Sequence, residues 1–290
     1  MSKPSDAGRT DGAVVANVSD TARWVAVYRA RESARPDALF HDPYAGRLAG
    51  ELGVAIAGRA PGQTRGGWPV VARTVAIDNF VAASIADGCD RVLCLAAGLD
   101  ARPYRLPLPP SLTWIEADLP AVIDEKERQL AGEQPRCRLR REAVDLADAP
   151  ARAVFLDRAL RDCRKALVLT EGLLMYLDDA LVEGLARDLA RPAVAWWAFD
   201  LLSPATRDLV MRAMSVDLAN APMRFAPPNG VAFFEERGWK ARDIVSLLDE
   251  AARLGRLPWL LWFLAHLPAS RPDPRRLARS YWSAAVRLER

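Results

Sequence analysis

Apolar and polar positions in this chain alternate between two periods, and each switch marks where a helix gives way to a strand. From Ser19 the spacing is helical: Ala22, Val25, Ala26 and Arg29 share a face, and Ser19 or Asp20 stands where a cap is needed. Pro36 interrupts that helix, and a second short segment runs from Asp42-Pro43-Tyr44 to about Leu52. Glycine and proline cluster from Gly58 to Pro69 and predict a loop. Val70 to Ala86 then reads as an amphipathic helix.

Short apolar runs follow, each bounded by turn residues, as expected of strands buried on both faces. Arg91 to Leu95 is the first, Thr113 to Glu116 the second, and Arg138 to Val144 a weaker third. Ala166 to Thr170 is the clearest, and Ala193 to Phe199 the next. Helical patterns separate them at Pro120 to Leu130, Ala149 to Asp162 and Asp178 to Leu189. Ala221 to Gly230, rich in proline and asparagine, reads as an irregular loop or lid. A strand near Trp239, a helix from Asp243 to Leu254 and a last strand from Tyr281 to Leu288 complete the pattern. Helix–strand alternation of this kind predicts an α/β fold with a doubly wound, mostly parallel sheet. Residues 1–18 read as a loose lead-in and 19–290 as one domain. That domain comprises a helical cap (19–69), a cofactor-binding core (70–200) and a lid with the last strands (201–290).

Composition narrows the function. At 51% hydrophobic and 27% charged residues the chain folds rather than staying disordered. A formal charge of +3 supplies no bulk field for nucleic acid. Only Lys3, Lys126, Lys165 and Lys240 are lysines, so no arginine is marked out merely by being one. Cys89, Cys94, Cys137 and Cys163 lack metal-site spacing, and His41 and His266 lie far apart, so no metal site is expected. Buried free thiols in a reducing compartment are the simpler reading. Met1 to Ser19 is polar, and Leu257 to Leu267 is shorter than the roughly 20 residues of a spanning helix. A cytoplasmic protein with no membrane span is therefore expected.

Ligands of open parallel sheets bind beyond the carboxyl ends of the strands. Here the first strand runs into Leu95-Ala96-Ala97-Gly98-Leu99-Asp100-Ala101-Arg102, and the second ends in Glu116-Ala117-Asp118. An acid about 20 residues beyond a turn glycine suits ribose hydroxyls, although an ordinary strand–helix turn would look the same. A dinucleotide fingerprint needs three glycines, and Ala96, Gly98 and Ala101 provide one. A ligand with ribose but no phosphate fits better, S-adenosylmethionine being the common one.

Six motifs in order resemble the leucine carboxyl methyltransferase family, whose bacterial branch includes S-adenosylmethionine-dependent enzymes of polyketide biosynthesis. They are Arg29-Ala30-Arg31-Glu32, Phe40-His41-Asp42-Pro43-Tyr44-Ala45, Arg73-Thr74 with Ile77-Asp78, the Leu95–Arg102 loop, Glu116-Ala117-Asp118-Leu119-Pro120, and Thr170-Glu171-Gly172-Leu173-Leu174-Met175-Tyr176-Leu177. The resemblance implies a Rossmann-like class I methyltransferase fold with a seven-stranded sheet, an N-terminal helical extension and a C-terminal lid. It places Arg73 on the methionyl carboxylate of the cofactor, with Gly98 under its amino-acid part and Glu171 close by. Glu116 and Asp118 compete for the ribose, the family pattern favouring Asp118, while Asp145 and Leu146 flank the adenine. Arg29, or Arg31 in its place, adds a further contact. Tyr176 is the candidate catalytic residue, touching substrate, unless it is simply a core tyrosine. Ala96 stands where the family has glycine, and Ala101 where it has threonine. A methyl group at position 96 could crowd the cofactor, which keeps a non-catalytic cofactor-binding protein among the readings. An NAD(P) oxidoreductase is disfavoured by the missing glycines and by the absence of a Tyr-x-x-x-Lys pattern.

A carboxylate acceptor, with a reference pKa near 4, is already ionised and needs no base, whereas a phenol near 10 does. The scarcity of histidine therefore favours forming a methyl ester on a small-molecule carboxylic acid of secondary metabolism, with hydroxyl O-methylation as the alternative. Trp239, Trp259, Trp262, Phe263 and Trp282, with the loop Met223 to Pro228, suggest either an aromatic-lined substrate pocket or ordinary core packing.

Overall fold

The computed structural model describes residue 15 and residues 18–59, 66–214, 218–265 and 271–290, so nearly all of the predicted lead-in lies outside the described residues. Two helices, α1 (Val18–Ser33) and α2 (Ala45–Arg59), pack on each other ahead of the sheet. The second runs past the predicted end near Leu52, because Gly50, at φ 60°, kinks it instead of ending it. Next comes α3 (Trp68–Ala86), started by Pro69 at a first-turn position.

The alternating part runs β1 (Arg91–Leu95), α4 (Arg102–Arg105), β2 (Thr113–Asp118), α5 (Pro120–Gln129), β3 (Arg138–Ala143) and α6 (Ala149–Ala159). It continues through β4 (Ala166–Thr170), a 3₁₀ turn at Leu174–Tyr176, α7 (Asp179–Asp188) and β5 (Val194–Leu202). The last part holds α8 (Pro204–Ala213), α9 (Ala232–Glu235), β6 (Lys240–Ser246), α10 (Leu247–Arg253), α11 (Trp259–Ala265) and β7 (Ser283–Glu289). The seven strands form one sheet in the order β3-β2-β1-β4-β5-β7-β6. The five from β3 to β5 are parallel, and β7 runs antiparallel to both its neighbours. This is the doubly wound, seven-stranded α/β sheet that the sequence predicts. Strand order reverses between β1 and β4, so the loops after these strands diverge and leave a crevice.

Both sheet faces are buried, and the two-residue period of the strands sorts the core into two layers. Leu93, Ile115, Val168 and Trp197 face α6 and α7, meeting Phe155, Leu156 and Val182. Val92, Cys94, Trp114 and Leu169 face α3 and α10, meeting Ile77, Phe80 and Ala251. α3 is also long and apolar enough to cross a bilayer, but in this fold its Ile77, Phe80 and Val81 are buried against the sheet.

Two expectations change. The predicted helix from Asp243 starts only at Leu247, because Asp243 to Ser246 pair with β7 as part of β6. Ser246 then caps α10 by accepting the Asp249 N–H at 3.3 Å. The C-terminal aromatics do not line a common pocket. Trp239 is fully buried in the core, its indole N–H donating to the Ala186 carbonyl at 3.2 Å, and Trp282 is buried in the same cluster. Trp259, Trp262 and Phe263 are exposed on α11.

Candidate active site

At the crevice, β1 leaves the sheet through two left-handed residues, Ala96 (φ 53°) and Gly98 (φ 47°). An L-residue pays roughly 1–2 kcal/mol for that conformation, so Ala96 carries strain a glycine would not. Gly98 has a second constraint. A Cβ built there would stand 3.2 Å from the Ala22 methyl of α1, so the first helix comes down onto this loop. Asp118, ending β2, fixes the loop from the other side: one carboxylate oxygen accepts the Gly98 N–H and the other the Leu119 N–H, each at 2.7 Å. Burial pushes the Asp118 carboxyl upward, and these two N–H groups, with Lys126, act against that rise.

Beside this loop runs an unbroken chain of buried and half-buried ion pairs. Arg73 on α3 donates from Nε to Glu171 at 2.8 Å and from Nη1 to Asp200 at 2.7 Å. Arg102 reaches Glu171, Asp78 and Asp100 at 2.7, 2.7 and 2.8 Å. Arg105 holds both oxygens of Asp78 at 2.7 Å, and Arg29 donates to Asp42 at 2.9 Å and to the Leu99 carbonyl at 2.6 Å. Burial alone would raise the Glu171 carboxyl, but Arg102 and Arg73 outweigh it and hold it below its ordinary value. Asp100 is likewise kept well down, against burial, chiefly by Arg102. Four guanidinium groups therefore face five carboxylates along the network, and the cleft itself is lined by three of each sign: Arg29, Arg73 and Arg102 with Asp100, Asp118 and Glu171.

Among the described residues one acceptor in this chain is incompletely used. Glu171 Oε2 is buried and lies 2.7 Å from the Arg102 guanidinium, yet accepts no well-aligned hydrogen bond. The following residue, Gly172 (φ 66°), gives its N–H to Asp200 at 2.6 Å. Around these groups lies a cleft of about 150 Å3, bounded by Thr21, Ala22 and Val25 of α1 on one side and Leu173, Met175 and Tyr176 on another. Burial raises the Tyr176 phenol, a shift opposed by a hydrogen bond with Thr21 and by Arg73, so the hydroxyl stays protonated.

The structure gathers Arg29, Arg73, Gly98, Asp118, Glu171 and Tyr176 around this cleft. It does not bring the other three there. Glu116 lies deeper in β2, fully buried, with its oxygens on Lys126 Nζ and Arg141 Nε at 2.8 Å each, so its charge is spent inside the core. Asp145 is exposed and accepts the Ala147 N–H at 2.9 Å, while Leu146 packs against the core and neither lines the cleft. Arg31, the alternative to Arg29, is exposed beside Tyr28. Asp200 is the residue that sequence reading missed. Its signal is there: a lone carboxylate in the otherwise apolar run Val194 to Leu202 has to be paired, and Arg73 is the partner.

Residues 22–190 match the family model described as leucine carboxyl methyltransferase. A protein of Mycobacterium sp. (strain KMS) named "Putative S-adenosyl-L-methionine-dependent methyltransferase" is 35% identical over 276 residues, covering 84% of this chain and 89% of that protein. One of the same name from Mycobacteroides abscessus is 30% identical over 285 residues, covering 84% and 90%. Among solved structures, a DUF574 family protein from Streptomyces avermitilis superposes with a TM-score of 0.57 at 17% identity, over 93% of this chain and 97% of that one. A "putative methyltransferase" from Thermobifida fusca gives 0.55 at 15% identity, over 96% of each. At these identities the two structures speak for the fold.

Proposed function

Because the chain belongs to the leucine carboxyl methyltransferase family and is an S-adenosylmethionine-dependent methyltransferase, we propose that it forms a methyl ester on the carboxylate of a small-molecule substrate in secondary metabolism. The cleft suits that methyl donor on its own chemistry. A wall carrying charges of both signs suits a ligand with a sulfonium, an ammonium and a carboxylate, and the underused Glu171 Oε2 offers the ammonium an acceptor. Arg73 stands beside it for the donor's carboxylate, its guanidinium next to the open backbone at Gly172. Asp118 is placed at the strand end where ribose hydroxyls bind in this fold class.

Bound there, S-adenosylmethionine supplies an electrophilic methyl group on a sulfonium. The chain's part is to align the acceptor for in-line displacement and to keep water away. The observation that carries the carboxylate reading is the ionic state of the cleft. Tyr176 is held protonated, Asp100 and Glu171 are held ionised by arginines, and Asp118, which burial raises, has its two oxygens occupied by the Gly98 and Leu119 N–H groups, so none is free to take a proton at neutral pH. An acceptor that arrives already ionised meets that condition, and a carboxylate does. Tyr176 offers a neutral hydroxyl to position it.

The acceptor side is apolar and deformable. Among the described residues four methionines share clusters with Tyr176: Met175 and Met223 with Leu202 and Ala226, and Met211 and Met214 with Ile56. Thioether side chains repack easily, which suits a flexible aliphatic or polyketide-like acid. The test is a pH–rate profile with carboxylic-acid and phenolic acceptors at saturating donor. Turnover of acids, flat from about pH 6 to about pH 9, is expected. Turnover confined to phenols and rising with pH would replace this reading with hydroxyl methylation.

A cleft of about 150 Å3 is smaller than the roughly 300–1,000 Å3 typical of ligand pockets, so the α1 wall has to yield to a nucleoside-sized ligand. Donor binding is therefore expected to change hydrogen exchange most in residues 19–29 and 96–100. Unchanged exchange in α1 at saturation would show that the wall does not move.

A further inference from the structure

A second cavity, of about 420 Å3, lies at the opposite end of the sheet, where the strands begin. Arg91, Thr113 and Arg138 stand in register across β1, β2 and β3, and Arg140 follows two residues along β3 on the same face. α6 covers that face, and Arg158 at its end and Arg161 in the next turn complete the wall. Asp162, held at φ 58°, ends the turn. Five arginines from four separate elements thus converge on one concave surface.

Arg91, the one half-buried arginine of the five, is set apart by its partnering. Elsewhere the half-buried and buried arginines have carboxylates beside them: Arg73, Arg102, Arg152, Arg256 and Arg287 all do. Among the described residues Arg91, Arg138, Arg140 and Arg161 have no carboxylate within ion-pair distance, and only Arg158 reaches one, Glu142. Arg91 uses Nη1 to hold the Ala159 and Arg161 carbonyls at 2.6 and 2.7 Å, while its Nε is buried without an acceptor. Like charges gathered this way repel, and a multivalent anion relieves the repulsion. Protection of an edge strand by charge would account for Arg138 and Arg140 on β3. It would not account for Arg91 on the interior strand β1, or for Arg161.

We propose that this cavity binds a small molecule carrying a diphosphate, or two phosphoryl groups close together. Planar guanidinium forks match phosphate oxygens two at a time, and several unpaired forks call for more than one anionic group. The volume lies within the range of small-ligand pockets. The site stands at the amino ends of the strands, away from the cleft at their carboxyl ends, and does not depend on the methyl-transfer reading.

The test is calorimetry with inorganic pyrophosphate and with ADP, using adenosine as the uncharged control. Saturable binding of pyrophosphate and ADP, with none of adenosine, is expected. The affinity should fall about tenfold or more in Arg138→Ala/Arg140→Ala, and several-fold between about 50 and about 300 mM salt. Both positions are exposed, so the variant should keep its melting temperature, and Arg161→Glu gives a second, charge-reversing check. Failure of the native protein to bind pyrophosphate, or equal binding by both variants, would overturn the proposal. Binding of a duplex oligonucleotide without binding of pyrophosphate would also overturn it, reassigning the surface to nucleic acid.

Discussion

Replacing Arg73 with methionine is expected to abolish measurable donor binding and to destabilise the fold by about 3–5 kcal/mol at neutral pH, the cost of breaking a buried ion pair. Arg73 is the cation shared by Glu171 and Asp200, at 2.8 and 2.7 Å. Without it Asp200 keeps only the Gly172 N–H, and Glu171 depends on Arg102 alone. The destabilisation should depend on pH in a defined direction. In the native protein the Glu171 carboxyl is held low, because Arg102 and Arg73 overcome burial. A depressed folded-state pKa contributes stability that is full above the unfolded value, near 4.3, and is lost as pH falls through the folded one. The gap between native and variant should thus be full near pH 7.5 and smaller at about pH 3.5, as read by urea unfolding. A gap of equal size at both pH values would show that Arg73 stabilises by packing rather than by charge. Arg73→Lys should recover part of the stability but little of the binding, since an ammonium cannot span two carboxylates and a ligand as a guanidinium does.

The sheet was legible because a strand buried on both faces must be apolar throughout, and β4 was read residue for residue at Ala166–Thr170. Boundaries failed where one segment satisfies two patterns. Asp243 to Ser246 fits an amphipathic helix as well as a strand, and only pairing with β7 decides it. Cleft residues were legible where they follow a strand, as Gly98, Asp118 and Glu171 do. The network joining them was not, because its partners are remote: Arg73 meets Glu171 across 98 positions and Asp200 across 127. Nor does an aromatic residue reveal its surroundings. Trp239 and Trp282 looked as suited to a pocket as Trp259, and only the tertiary structure puts the first two in the core. Glu116 misled for a related reason. It shares the face of β2 with Asp118, one pleat further in, and that single step separates the crevice from the interior.

That interior carboxylate sets up the second large effect. Glu116 and Lys126 are both wholly buried and meet at 2.8 Å, with Arg141 on the other Glu116 oxygen at 2.8 Å. Lys126→Met removes one cation from the core and should also cost about 3–5 kcal/mol. Glu116→Leu alone should cost a similar amount, since it strands an ammonium that has no water. The double variant Glu116→Leu/Lys126→Met replaces the charged pair by apolar groups of similar bulk. Arg141 loses its carboxylate but keeps the Tyr104 hydroxyl as a neutral acceptor, and its place at the half-buried edge leaves its charge open to solvent. The double variant should therefore be more stable than either single, with a coupling energy of about 2–3 kcal/mol. Its donor binding discriminates further. Lys126 also acts against the upward push of burial on Asp118, so the double variant should bind the donor less tightly despite its recovered stability. Additive losses in the cycle would mean that the buried ions act independently. Recovered stability with undiminished binding would mean that Lys126 serves the core alone, and that the Gly98 and Leu119 N–H groups suffice to hold Asp118 ionised.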